Sequence, residues 1–151
     1  MFTIDNTTSS DRSDGRVYEI GEVAELVTLS LRTTRFYADA GLLVPVGRTE
    51  GGYGLYDADA LDRLLLIKKM KPLGFTLEEM RSLLALRAEI NTPGLSPERR
   101  KELRRRLQTW MDLAEEKLAL LQKQVRDAEA FKNVLCSGAV GIRFGETDLG
   151  R

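Results

Sequence analysis

Arg32 and Arg35 lie three residues apart and are followed directly by Phe36 and Tyr37. If this stretch is helical, that spacing puts both guanidinium groups on one face. With the Tyr37 hydroxyl they supply the donors that a helix laid in a DNA groove offers to base edges and phosphates. Core packing is an equally open reading for Tyr37, while Phe36, without a polar atom, is expected in the core. No comparable set of residues points to catalysis. The chain has no His and a single Cys, so imidazole-based triads, imidazole metal ligands and an intrachain disulfide are all excluded. No nucleophile–base pair or carboxylate constellation stands out, and an enzyme is not expected.

The elements that must hold these residues can be read from pattern. Ile20, Val23, Ala24 and Val27 recur at the spacing of one helical face, predicting a first helix that begins near Tyr18. After Thr28-Leu29-Ser30 a second helix covers residues 31–40, with Ser30 suited to its N-cap and Gly41 to its end. Two short helices joined by so tight a turn read as a helix-turn-helix. Residues 42–56 place apolar and aromatic residues around the glycine-rich segment 47–52, which predicts a small β-hairpin, a wing. Asp57 caps a third helix over 58–71 with Leu61, Leu64, Leu65 and Met70 inward, ended by Pro72 and Gly74. Thr76 and Glu79 form a capping box for a fourth helix that reaches about Glu89.

Behind a linker at 91–95, Ser96 and Pro97 open a helix without internal Gly or Pro to about Cys136. At ~1.5 Å per residue it is on the order of 60 Å long. Leu103, Leu107, Trp110, Ala114, Leu118, Leu121, Val125, Ala128 and Leu135 line one narrow stripe, with a stutter between Ala114 and Leu118. Such a stripe on so long a helix is expected to bury itself against a second copy of the chain. Residues 1–16, rich in Ser, Thr and Asp, and residues 137–151 are expected to be tails, the former disordered. The domain expectation is therefore a DNA-binding unit at 17–90, a linker at 91–95 and a dimerisation helix at 96–136.

Charge placement matters more than charge total. The 23 basic and 23 acidic residues cancel, yet there are nine basic against eleven acidic residues in 17–90 and twelve against nine in 91–151. Neutrality therefore does not exclude a nucleic-acid partner; it predicts dependence on a few placed cations rather than on a general field. Residues 99–106 hold six basic residues in eight, at a helix start where the dipole disfavours them. No apolar run approaches the ~20 residues needed to span a bilayer, and residues 1–16 lack the pattern of a signal peptide. A soluble protein of a reducing compartment, without a membrane partner, is expected.

Five segments in register resemble the MerR-type transcription regulators: residues 18–24 (YEIGEVA), 30–37 (SLRTTRFY), 40–45 (AGLLVP), 51–56 (GGYGLY) and 73–79 (LGFTLEE). The resemblance implies a mainly α fold, in which a winged helix-turn-helix domain with a β-hairpin wing precedes a long C-terminal helix in an antiparallel coiled coil. It implies a homodimeric, sequence-specific regulator that binds and distorts double-stranded promoter DNA alongside RNA polymerase, in the bacterial cytoplasm on the nucleoid. A DNA-architectural protein of low sequence specificity is the alternative. DNA contact is carried onto Arg32, Thr33, Arg35 and Tyr37 of the second helix, Arg48 and Tyr53 of the wing, Tyr18, and Lys68 of the third helix. Three positions depart from the family pattern: Thr28 stands where the turn usually has Gly, Thr34 replaces a common Leu, and Gly54 stands where the wing usually has Arg. The family's metal- and redox-sensing branches need thiolate sets that Cys136 alone does not supply, so no metal or cofactor is expected and any effector is unassigned. Trp110 is expected to pack in the seam rather than to line a pocket.

Overall fold

The computed structural model describes residues 15–138. The two expected tails, 1–16 and 137–151, lie outside them except at residues 15, 16, 137 and 138. The described residues divide into two units after Leu103.

The first unit opens with strand β1 (Tyr18–Glu19), followed by helices α1 (Ile20–Leu26) and α2 (Leu31–Asp39). Strands β2 (Gly47–Arg48) and β3 (Gly54–Tyr56) come next, then helix α3 (Ala58–Met70), a 3₁₀ turn at Lys71–Leu73 and helix α4 (Leu77–Ile90). The strands form one antiparallel sheet in the order β1-β3-β2, pairing Tyr18 with Tyr56 and Arg48 with Gly54. The third strand is a finding that the pattern did not give. Tyr18 was expected to start the first helix, but Glu19 is extended (φ −77°, ψ 160°) and α1 begins at Ile20 without a side-chain cap. An aromatic residue bounded by extended backbone gains more by pairing with β3 than by lengthening an uncapped helix.

Local signals fixed the other helix starts. Ser30 Oγ accepts from the Thr33 amide at 3.1 Å, Asp57 Oδ1 from Ala60 at 3.1 Å, Thr76 Oγ1 from Glu79 at 3.1 Å and Ser96 Oγ from Arg99 at 3.2 Å. Each cap contributes about 1 kcal/mol. Gly41, at φ +77°, closes α2 in the left-handed region that glycine adopts without strain.

Val23 and Ala24 of α1, its C-cap Val27, Thr34 and Tyr37 of α2, Leu42 and Leu43, and the inner face of α3 are buried residues around which this unit is built. On α3 that face is Leu61, Leu64, Ile67 and Met70, whereas Leu65 is half-buried. Ile67, fully buried, completes the spacing of three from Leu64 that the sequence reading passed over. Thr34 is also fully buried; its hydroxyl donates to the Ser30 carbonyl at 2.9 Å, so the helix itself satisfies the polar group that replaces an apolar side chain.

Helix α5 (Pro97–Ser137) is 41 residues long. Its first turn belongs to the first unit: Arg99 pairs with Glu89 near the end of α4, and Leu103 is only 2% exposed. Among the described residues no helix is long and apolar enough to cross a membrane.

Candidate nucleic-acid interface

Helix α2 buries Thr34 and Tyr37 and turns Arg32, Arg35, Phe36 and Asp39 outward. Those four positions follow the i, i+3, i+4, i+7 rule of a single helical face. No hydrogen bond or ion pair engages Arg32 or Arg35 among the described residues, so both guanidinium groups keep their donors for a partner. Thr33 is half-buried beside this stripe, with its hydroxyl accepting from Ser30 Oγ at 2.8 Å.

Tyr37 takes the core position that was one of its two open readings, whereas Phe36, expected in the core, lies outside it. Tyr37 is 4% exposed, and Phe36 is 57% exposed. The reason is helical phase. Tyr37 lies three residues after Thr34, on the side that α1 covers, and Phe36 lies four after Arg32, on the side left exposed among the described residues. Burial pushes the Tyr37 phenol above its ordinary value. The rings meet edge-on, with centroids 5.4 Å apart and planes at 66°, so the buried ring fixes the orientation of the exposed one.

Three cations far away in sequence hold the ends of the two helices. Lys68 Nζ on α3 donates to the carbonyls of Val27 at 2.9 Å and Thr28 at 3.3 Å. Arg63 Nε, also on α3, donates to the Leu42 carbonyl at 3.0 Å, and Arg81 Nη2 on α4 to the Ala40 carbonyl at 3.0 Å. The last carbonyls of a helix lack internal donor partners and carry the negative end of its dipole, so cations are well placed there. Lys68, carried over as a DNA-contact residue, has its ammonium on the turn between α1 and α2, which it clamps. That turn contains the only non-glycine residue at positive φ among those described, Thr28 at +56°, the position where the family pattern has glycine. Arg63 and Arg81 were not anticipated at all. Nothing local marks them, because their acceptors lie 21 and 41 residues away.

The wing is organised differently. Thr49 accepts the Gly52 amide at 2.9 Å and donates its own amide to Tyr53 at 2.8 Å, and its Oγ1 accepts the Tyr53 amide at 3.1 Å. Gly52 takes φ +82°, giving a three-residue hairpin loop closed by a left-handed glycine. Arg48 Nη1 reaches back to the Gly52 carbonyl at 3.1 Å, and Tyr53 is 68% exposed. A Cβ built on Gly54 would lie 3.0 Å from the Tyr56 hydroxyl, so the departure from arginine at this position suits the packing of a nearly buried tyrosine. Tyr18 is half-buried in β1, with the Arg16 guanidinium carbon 5.0 Å from its ring centroid.

In the second unit, Leu107, Leu118, Val125 and Leu135 are 39–56% exposed, Ala128 is exposed, and Trp110, Ala114 and Leu121 are half-buried. Leu103 differs from the rest of the expected stripe: its side chain is taken into the core of its own chain. Cys136 is exposed, and the described residues contain no group of three or more metal-ligating side chains.

Comparison with known proteins agrees with this geometry. Residues 18–86 match the family described as MerR HTH family regulatory protein, and residues 61–137 match the one described as MerR, DNA binding. The HTH-type transcriptional regulator ZntR of Escherichia coli (strain K12) is 31% identical over 125 residues, covering 82% of this chain and 84% of that one. The mercuric resistance operon regulatory protein of Bacillus cereus is 42% identical over 69 residues, covering 46% and 52%. A crystal structure of a putative MerR family transcriptional regulator from Listeria monocytogenes superposes with a TM-score of 0.55 at 28% identity, covering 78% of this chain and 83% of that one. A MerR family regulator from Bacillus cereus does so at 0.59 and 24% identity, covering 86% and 88%. These relatives are regulators rather than enzymes, and this chain belongs to the MerR family of DNA-binding transcriptional regulators.

Proposed function

We propose that the outward face of α2 enters the major groove of promoter DNA, with Arg32 and Arg35 reading base edges while Arg48 and Tyr53 of the wing hold the flanking backbone. The observation that carries this reading is the state of five cations. Arg63, Lys68 and Arg81 are bound to helix-end carbonyls, while Arg32 and Arg35 lie on one exposed face with no partner among the described residues. Scaffold cations and reading cations are thus separate sets. Thr33 and Tyr18 line the approach to α2 and the wing, and Tyr37 and Lys68 act from behind by fixing the pose of α2.

The functional unit is a homodimer. The rest of the α5 stripe, from Leu107 through Trp110, Ala114, Leu118, Leu121, Val125 and Ala128 to Leu135, finds its partner in the same stripe of a second chain, and Leu103 anchors the helix to its own domain. A dimer with two reading helices requires paired half-sites and can hold the DNA between them in a distorted form, at a cost that its contacts offset. Transcription control then places the dimer beside RNA polymerase in the bacterial cytoplasm. Footprinting of the full chain on DNA recovered from cells tests this. Two protected half-sites about one helical turn (roughly 34 Å) apart are expected; continuous, unphased protection would instead mark an architectural protein.

A further inference from the structure

We infer that Phe36 is a specificity-determining residue that reads the 5-methyl group of a thymine in the major groove. This rests on the proposed seating of α2. Within the outward stripe of Arg32, Arg35, Phe36 and Asp39, every residue but Phe36 is charged. Its ring is 57% exposed and fixed edge-on against the buried ring of Tyr37, 5.4 Å away. A single exposed apolar side chain is ordinary on a protein surface. One at the centre of a cationic reading face, held by a buried neighbour, is placed for contact.

The chemistry of that contact follows from what the ring lacks. Phe36 has no donor or acceptor, so it can neither bind phosphate nor pair with the polar edge of a base. Among the groups that base pairs show in the major groove, the thymine methyl is the apolar one, and phenylalanine is among the side chains that complement it. Arg32 lies one turn before Phe36 and Arg35 beside it, so guanidinium donors for guanine acceptors flank the ring. The half-site expected from this order contains a thymine next to a guanine contacted by arginine. Because the ring is already oriented, contact costs little side-chain ordering, and discrimination comes from the buried methyl itself.

Deoxyuridine differs from thymidine only by that methyl and has the same hydrogen-bonding edge, which makes the test direct. The probe is the duplex that the full-length protein recovers from a randomised pool, resynthesised with each half-site thymine replaced singly by deoxyuridine. At one or two positions per half-site the wild-type protein should lose roughly four-fold in affinity, the worth of one buried methyl group. Phe36→Ala should bind thymine and deoxyuridine duplexes alike at those positions, while Phe36→Leu, which keeps an apolar surface, should retain part of the difference. Circular dichroism of both variants should match the wild type, since the side chain is exposed.

A methyl preference that persists in Phe36→Ala, or the absence of any methyl-sensitive position, overturns the inference while leaving the seating of α2 intact. So does a change in oligomeric mass for Phe36→Ala without a change in methyl sensitivity, which would assign the ring to a protein contact. If Arg35→Ala also leaves affinity for the recovered duplex unchanged, the seating of α2 fails, and the inference with it.

Discussion

Helix α2 and the β2–β3 wing present the same two kinds of side chain, arginine and an aromatic ring, but support them in different ways. The C-terminal end of α2 is held by side chains from α3 and α4, and its buried face is packed against the core. The wing is held by its own turn: Thr49, Gly52 and Tyr53 bond to one another, and Arg48 folds back on the Gly52 carbonyl. A surface that must discriminate bases needs its donors placed to a fraction of an ångström, and long-range clamps supply that. A surface that only holds phosphate tolerates looser placement, for which a short self-contained hairpin suffices. Under the proposed seating of α2, rigidity is distributed according to task, and the difference ranks the expected effects of mutation.

The largest effect is expected on α2. Arg35→Ala should weaken binding to the recovered duplex by roughly ten- to a hundred-fold and relax base preference at one position of each half-site, as loss of a bidentate base contact does. Arg32→Ala should act at a neighbouring position. Competition binding with duplexes altered one base pair at a time measures both the loss and its position. A uniform loss across all sequences would place these arginines on phosphate and remove the contrast with the wing.

Next in size are the clamps. Lys68→Met leaves the Val27 and Thr28 carbonyls without their ammonium donor, and should lower the unfolding free energy by about 1 kcal/mol. Thr28→Gly should act in the opposite sense, because a β-branched residue at positive φ is strained by about 1 kcal/mol or more and glycine is not. If Lys68 serves to hold the strained turn, Thr28→Gly should restore much of both the stability and the DNA affinity lost in Lys68→Met. Denaturant unfolding and binding of the single and double variants test this coupling. Lys68→Met that keeps full stability but loses affinity would return Lys68 to the role of a phosphate contact.

The wing comes third. Arg48→Ala should reduce affinity only several-fold, equally for all sequences, and should lower the slope of log affinity against log salt by about one. A change of base preference in this variant would make the wing a reading element and overturn the division of labour drawn here.

These rankings rest on features of unequal legibility. The side-chain caps, decided within one helical turn, were plain in the sequence: Ser30, Asp57, Thr76 and Ser96 all cap the helices they were expected to cap. The continuous period of α5 was equally plain. The clamps were not, because the bonds of Arg63, Lys68 and Arg81 span 21 to 41 residues and exist only once the helices are packed. Phe36 was misplaced, and Tyr37 left between two readings, for another reason. Their sites were inferred from the polarity of each side chain, although the positions of Thr34 and Arg32 already set the helical phase. Leu103 shows the same limit at a larger scale. It continues the α5 stripe by spacing, but whether a stripe residue meets its own domain or another chain depends on where the compact unit ends.

The smallest effect concerns Tyr37, the buried residue that orients the exposed ring beside it. Its phenol titrates above its ordinary value in the folded chain because burial disfavours the charged form. In the unfolded chain it should titrate near the ordinary value of about 10. The folded state therefore holds its proton more tightly, and the associated stability is fully present below pH ~10 and falls as the pH rises from there through the folded value. Tyr37→Phe removes the titrating group, so the stability of this variant should decline less steeply than that of the wild type above pH ~10, while their difference stays constant between pH 6 and 9. Chemical denaturation from pH 6 to above pH ~10 measures both. An equally steep alkaline decline in Tyr37→Phe would show that other groups cause it and that the phenol behind α2 is not sealed from water. The recognition helix would then be less firmly backed than its clamps imply, and its contrast with the wing correspondingly weaker.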